Sequence, residues 1–308
     1  MENTRAKTTR NSLILLLTAT IWGMAFVSQS KGMDYMHPFT FNGVRSLIGA
    51  AGILVYILIS RKIAGDKAAK LDWKLNVRAG LLCGIFLTIA STLQQFGIKY
   101  TSVGKAGFIT TLYIIFVPMF GIFLKKKVAP VVWAAAGMAA VGMYLLCMTE
   151  SLRLGAGDIM VFLCAIAFAI QIMTVDHYAE RIDGAVVSCI QFTVCGVVCC
   201  IGALIWGQPT FGQIQEGLGA LLYAGVLSCG VGYTLQIVGQ KGLNPTVAAL
   251  IMSLESVIAT ISGWIAYKIG FLSTDQTLTP RQIAGCVIVF AAVILVQLPP
   301  EWFRFGKK

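Results

Sequence analysis

The chain has 308 residues, of which 57% are hydrophobic and 12% charged, with a mean hydropathy of +0.80 and a formal charge of +11. A surface that must face water cannot be built from those proportions, so a pair of soluble domains is excluded and the membrane class comes first. The positive charge could hint at nucleic acid, but the lysines and arginines stand between apolar runs, and that placement explains it as membrane topology instead.

A hydrocarbon core about 30 Å thick takes roughly 20 apolar residues of helix. Runs of that kind are predicted at 11–30, 38–60, 79–98, 105–124, 128–148, 156–176, 184–206, 216–238, 245–268 and 279–298, spans 1 to 10. Arg5, Lys7 and Arg10 precede the first. A cleaved signal peptide would also begin this way, but the run continues to Val27 without a small-x-small site and reads as an ordinary span. Pro38, Pro130, Pro245 and Pro280 stand at or near span starts, where a missing N–H costs little. The glycines are scattered through the apolar runs, which suits close helix packing in lipid; Gly80 and Gly84 make one Gly-x-x-x-Gly.

The sequence repeats itself. Shifted by 142 residues without gaps, Thr92, Leu93, Gln94, Gly97, Lys99, Ala106, Ile109, Leu112, Gly121 and Lys126 fall on Thr234, Leu235, Gln236, Gly239, Lys241, Ala248, Ile251, Leu254, Gly263 and Lys268. The same shift carries Ala25, Phe26 and Gln29 onto Ala167, Phe168 and Gln171. Two units are therefore expected, residues 1–150 and 151–308, each with five spans. Five is odd, so the second unit enters the membrane inverted, as in many secondary transporters.

Lysine and arginine placement gives the orientation. With the N-terminus cytoplasmic, the inner segments hold Arg5, Lys7, Arg10, Arg61, Lys62, Lys67, Lys70, Lys74, Arg78, Lys125, Lys126, Lys127, Arg181, Lys241, Arg304, Lys307 and Lys308; the outer ones hold only Lys31, Lys99, Lys105, Arg153, Lys268 and Arg281. That bias predicts both termini inside. The cysteines (Cys83, Cys147, Cys164, Cys189, Cys195, Cys199, Cys200, Cys229 and Cys286) all lie in apolar runs without a Cys-x-x-Cys, and His37 and His177 sit at span ends. They read as small buried hydrophobes, and no metal or cofactor is expected.

Trp22-Gly23-Met24-Ala25-Phe26 in span 1, Arg45 in span 2, Ala106 to Pro118 in span 4, and Leu254-Glu255-Ser256-Val257 with Gly263-Trp264 in span 9 together resemble the drug/metabolite transporter superfamily, and within it the ten-helix EamA-type permeases. The resemblance covers the whole chain. It implies an all-α membrane protein of two inverted five-helix repeats around a central cavity, exporting a small metabolite such as an amino acid or an amphipathic compound. The chain departs from the family pattern at Ser256, where proline usually follows Leu-Glu, and at Lys125 to Lys127 and Lys268, where glutamate often ends spans 4 and 9.

Two ionisable side chains fall well inside spans, Arg45 and Glu255. A charge at the bilayer centre costs about 2.5–3.5 kcal/mol on insertion scales, so each is expected to face protein or a water-filled cavity. Functionally, Arg45 is a ligand for a carboxylate or a gate, and Glu255 is a ligand for an amine or a carrier of a coupling proton; structurally, each simply fixes helix packing. Gln94, Gln236, Gln29 and Gln171 recur at matching repeat positions and either bind a solute or tie helices together. Thr110, Thr111 and Tyr113 crowd span 4, Ser91, Thr92 and Gln95 flank Gln94, and Glu255 is the image of Tyr113. Trp22 and Tyr233 are placed to stack on an apolar part of the solute, whereas Trp73, Trp133, Trp206 and Trp302 belong to the interfacial belt. Pro118, deep in span 4, is expected to kink it and free a backbone carbonyl, either as a gating hinge or as passive curvature.

No Walker loop, Gly-x-Ser-x-Gly or His cluster is present. A secondary transporter in a bacterial-type cell membrane is the expectation, proton-coupled through Glu255 or facilitative. Its partners are a small-molecule solute, the bilayer and, if coupled, protons; a monomer or weak homodimer is expected. The alternatives are a membrane-embedded enzyme or lipid-handling protein, or a small-solute channel.

Overall fold

A computed structural model describes residues 2–65, 71–124, 130–147, 155–273 and 275–297. Lys67, Lys70, Lys125, Lys126, Lys127, Arg153, Trp302, Arg304, Lys307 and Lys308 lie outside the described residues. Among the described residues all regular structure is helical: α1 (Glu2–Gly32), α2 (Pro38–Ala64), α3 (Trp73–Ile98), α4 (Val103–Thr111), α5 (Tyr113–Phe123), α6 (Pro130–Cys147), α7 (Ala156–Tyr178), α8 (Gly184–Gly202), α9 (Phe211–Glu216), α10 (Leu218–Leu222), α11 (Tyr233–Gln240), α12 (Pro245–Met252), α13 (Leu254–Lys268) and α14 (Pro280–Gln297). Eight helical stretches are long and apolar enough to cross a membrane, and α6 and α14 supply two shorter apolar ones. Leu54, Val55, Leu58 and Ile59 on α2 and Val287 and Phe290 on α14 are largely exposed, an apolar exterior that suits lipid rather than water.

The helix starts are written in the sequence. Asp72 caps α3 through Leu75 N–H (3.0 Å), and Asp183 caps α8 through Ala185 and Val186 N–H (3.0 and 3.2 Å). His37 Nδ1 accepts from Phe39 N–H at the start of α2; burial and the nearby Lys99 hold this imidazole below the usual histidine range, so it caps as a neutral acceptor. Ser102 caps α4 and Asn244 caps α12, and these two residues are repeat images.

Spans 4 and 9 are both interrupted half-way. Leu112 separates α4 from α5 and Ser253 separates α12 from α13. Both break residues keep right-handed dihedrals, and the ladder tightens rather than opens: Leu112 N–H donates to Ile109 O (3.2 Å), Ile115 N–H to Leu112 O (2.9 Å) and Ser256 N–H to Ser253 O (3.1 Å). Such mid-helix tightening marks a hinge or local strain. The break in span 4 falls before Pro118, which lies within α5. Span 8 differs from its image: Tyr223–Gly232, between α10 and α11, is wound as a π-helix, while the matching stretch of α3 is regular α-helix.

Packing follows the repeat. Helix α2 lies on α8 and α6 on α14, each against its own image. Helix α3 packs on α7, and correspondingly the π-helical stretch and α11 pack on α1. Gly80 and Gly84 seat α3 on α8, where a Cβ would come within 2.6 Å of Ile190 Cβ and 2.9 Å of Val194 Cβ. Of the cysteines, Cys83, Cys164, Cys195, Cys199 and Cys229 are buried, Cys189, Cys200 and Cys286 are partly exposed, and all eight are free thiols. Trp73, Trp133 and Trp206 are exposed near span ends.

Candidate functional site

The interrupted helices meet at their breaks. Tyr113 opens α5, Glu255 is the second residue of α13, and the Tyr113 hydroxyl donates to Glu255 Oε1 at 3.0 Å. Residues 142 apart in sequence thus form one buried contact. Gly23 on α1 makes room for it, since a Cβ there would stand 2.7 Å from the Glu255 carbonyl oxygen. Ser262 Oγ also donates to Gly23 O at 3.4 Å, a second tie between α1 and α13.

Around this contact lies a cavity walled by Trp22, Phe26, Gln29, Arg45, Gln94, Thr110, Tyr113, Phe168, Gln171, Ile172, Ser228, Tyr233, Gln236 and Glu255. Its empty space is about 460 Å³ with the open mouth included, but only about 30 Å³ is open to the centres of water molecules. A few waters fit there, and an organic solute would require the walls to part.

Arg45 carries the unbalanced charge. Its side chain is buried, and the ion pairs among the described residues, Lys31 with Asp34 and Lys105 with Asp158, leave it out. Nε has no hydrogen-bond partner, and the guanidinium's aromatic neighbour is Phe41, 5.5 Å away. Arg45 and Glu255 face the same cavity without forming an ion pair. A buried cation is costly unless it is paired or hydrogen-bonded, and Arg45 forms no ion pair with a carboxylate among the described residues.

Aromatic rings line the wall beside it. Trp22 and Tyr233 lie 4.5 Å apart between ring centroids at 51°, and Tyr233 meets Phe192 edge-on at 5.0 Å. The amides are arranged unequally: Gln171 and Gln236 bond each other reciprocally at 3.1 and 3.4 Å, while Gln94 donates to Thr110 Oγ1 at 3.2 Å.

All of Trp22, Arg45, Gln94, Thr110, Tyr113, Tyr233, Gln236 and Glu255 come together on this wall. Pro118 is not part of it; its place is within α5, where it removes an N–H donor from the helix. The polar residues around Gln94 turn to helix contacts instead. Ser91 meets Cys195 Sγ (3.4 Å), Thr92 meets Cys199 Sγ (3.6 Å), Gln95 donates to Gln29 O (3.1 Å) and Thr111 to Phe108 O (2.8 Å). Three lining residues escape a reading based on polarity, Phe26, Phe168 and Ile172, and a fourth, Ser228, is polar but was not singled out. Phe26 and Phe168 had a usable signal, because they are repeat images of each other.

Comparison with known proteins gives the family. The model of the EamA-like transporter family matches residues 10–148 and again 155–298. An uncharacterized transporter of Archaeoglobus fulgidus is 27% identical over 92% of this chain and 84% of its own. The uncharacterized transporter YwfM of Bacillus subtilis is 24% identical, with 94% of each chain covered. A solved crystal structure superposes with a TM-score of 0.71 at 16% identity, covering 93% of this chain and 96% of that one, which is a likeness of fold.

Proposed function

The chain belongs to the EamA-like transporter family, and on that premise we propose that it is a secondary transporter exporting a small organic solute by alternating access. The reading places ten spans in two inverted five-helix repeats, residues 1–150 and 151–308, with both termini cytoplasmic. It is supported by the two family matches, by the packing of α2 on α8 and α6 on α14, and by the bias of lysine and arginine toward one set of loops.

One observation carries the choice of solute: Arg45 is buried in the cavity wall without an ion-pair partner, in the same cavity as the Glu255–Tyr113 contact. The solute places a carboxylate on Arg45, its planar fork matching two oxygens. An amine lies toward Glu255, and an apolar or aromatic part rests against Trp22 and Tyr233. An amino acid or a similarly amphipathic compound has that layout. Glu255 is the group on this wall that can exchange a proton with the solute pathway, and it decides between coupled and facilitative transport.

Solute counterflow in proteoliposomes tests the reading, with vesicles preloaded from panels of amino acids, nucleosides and organic cations at two pH values. Accelerated exchange of a carboxylate-bearing solute is expected. Exchange confined to organic cations overturns the role given to Arg45, and flux that neither saturates nor exchanges identifies a channel.

A further inference from the structure

The cavity wall is symmetric in residue type where its hydrogen bonds are not. Gln29 and Gln94 become Gln171 and Gln236 under the 142-residue shift, and all four line the cavity. At the end nearer Lys241, Gln171 and Gln236 hold each other by two amide bonds, 3.1 and 3.4 Å, across α7 and α11. At the end nearer Asp158 the equivalent bond between α1 and α3 is not made. There Gln94 donates to Thr110 Oγ1, and Gln29 Oε1 is buried without any partner.

The chain itself holds the chemical cause. Gln94 has the Thr110 hydroxyl beside it, and the repeat image of Thr110 is Met252, a thioether in place of the hydroxyl. A thioether sulfur is a weak acceptor, which leaves Gln236 no good alternative to Gln171. Gln94 donates an N–H to Thr110 and makes no bond to Gln29. Two inverted repeats that exchange conformations when the carrier turns over will make each amide pair in one state and part it in the other.

Building on the alternating-access reading above, we propose that the four glutamines form a two-position gate. In this state the Gln171–Gln236 pair latches the Lys241 end of the cavity. In the opposite state that pair parts, Gln94 leaves Thr110, and Gln29 and Gln94 latch the Asp158 end. The two bonds of the Gln171–Gln236 pair are exchanged for two between Gln29 and Gln94, which satisfies the orphaned Gln29 oxygen, and the Gln94–Thr110 bond is the one given up. Thr110 biases the resting population toward the state described here by holding Gln94 away from its partner.

The test is hydrogen–deuterium exchange of the full-length chain in nanodiscs, comparing wild type with Gln171→Met and, separately, Thr110→Val. Both substitutions are close in size, and they act at opposite ends of the cavity. Each should speed exchange in residues 172–183 and 236–244 and slow it in residues 30–37 and 95–105, by about fivefold, the shift one net hydrogen bond brings to a two-state equilibrium. Faster exchange confined to the surroundings of each substituted residue, with no opposite change at the far end, overturns the gate. Should Gln171→Met fail to fold, Gln236→Met breaks the same pair. Counterflow separates the two levels of inference: a reciprocal exchange pattern without counterflow of any panel solute upholds the gate against the solute reading, and counterflow without the reciprocal pattern does the reverse.

Discussion

Replacing Gly23 by alanine should force α1 away from the helix that carries Glu255. A Cβ at residue 23 would sit 2.6 Å from Ile258 Cβ and 2.7 Å from the Glu255 carbonyl oxygen, against ordinary contact that begins at 3.4 Å. The shortfall is 3.4 minus 2.6, or about 0.8 Å, and neither neighbour is the free end of a flexible side chain. The helices themselves must part. Overpacking of this kind costs about 1–3 kcal/mol, and at roughly 2–4 °C per kcal/mol for a large domain the melting temperature should fall by several degrees. Gly52 on α2 is the matched control, with nothing within 4 Å of its would-be Cβ. Gly52→Ala should melt no lower than wild type, because alanine is the better helix former by about 0.5–1 kcal/mol. Thermal melts in detergent measure both, and counterflow well below the melting range measures the consequence for the site. Since the displaced atom belongs to Glu255, Gly23→Ala should slow counterflow even where the protein is fully folded. If Gly23→Ala and Gly52→Ala melt together and transport alike, the close approach of α1 to α13 does not set the position of Glu255.

Arg45→Lys keeps the positive charge but loses the planar fork, so the half-saturating concentration of a carboxylate-bearing solute should rise by about tenfold, or about 1.4 kcal/mol; unchanged saturation in counterflow would argue that no bidentate contact is made. Glu255→Gln keeps an oxygen that can accept the Tyr113 hydroxyl while removing the titratable group. Its net transport should lose the pH dependence of wild type while solute exchange continues, and a profile that still follows wild type would place the coupling proton elsewhere or nowhere.

Much of the site was legible because a polar side chain within an apolar span has few inexpensive places to go. Arg45, Glu255, Gln94, Gln236 and Thr110 could be nominated from that rule alone, and the repeat added Tyr113 as the image of Glu255. Two things were not legible. Polarity alone could not separate Gln94, which lines the cavity, from Gln95, which donates to Gln29 O at the α1–α3 contact, and only the repeat, which pairs Gln94 with Gln236 but Gln95 with Ile237, favoured the first: consecutive residues on a helix point about 100° apart, and the direction of the cavity is set by helices distant in sequence. Nor was the location of the helix break, where the proline drew attention to residue 118 and the tightened turn lies at Leu112. The corresponding turn in span 9, at Ser253, is followed by no proline in α13, so a missing N–H is not required to interrupt such a span.

What remains is why a duplicated scaffold should carry an unduplicated site. The amides and phenylalanines of the wall are kept as images of each other, Gln29 with Gln171, Gln94 with Gln236 and Phe26 with Phe168. The residues that would distinguish one end of a solute from the other are not: Arg45 faces Val187 across the repeat relation, Trp22 faces Cys164, and Tyr113 faces Glu255. A carrier whose repeats exchange conformations needs like contacts at its two ends, so that opening one closes the other at small net cost. Its solute needs the opposite, a single binding pose that stays put while the walls move. Symmetric amides with asymmetric charges meet both requirements in the same wall. On this argument, substitutions at the paired positions should change how often the carrier turns over, whereas substitutions at Arg45, Trp22 and Glu255 should change what it carries.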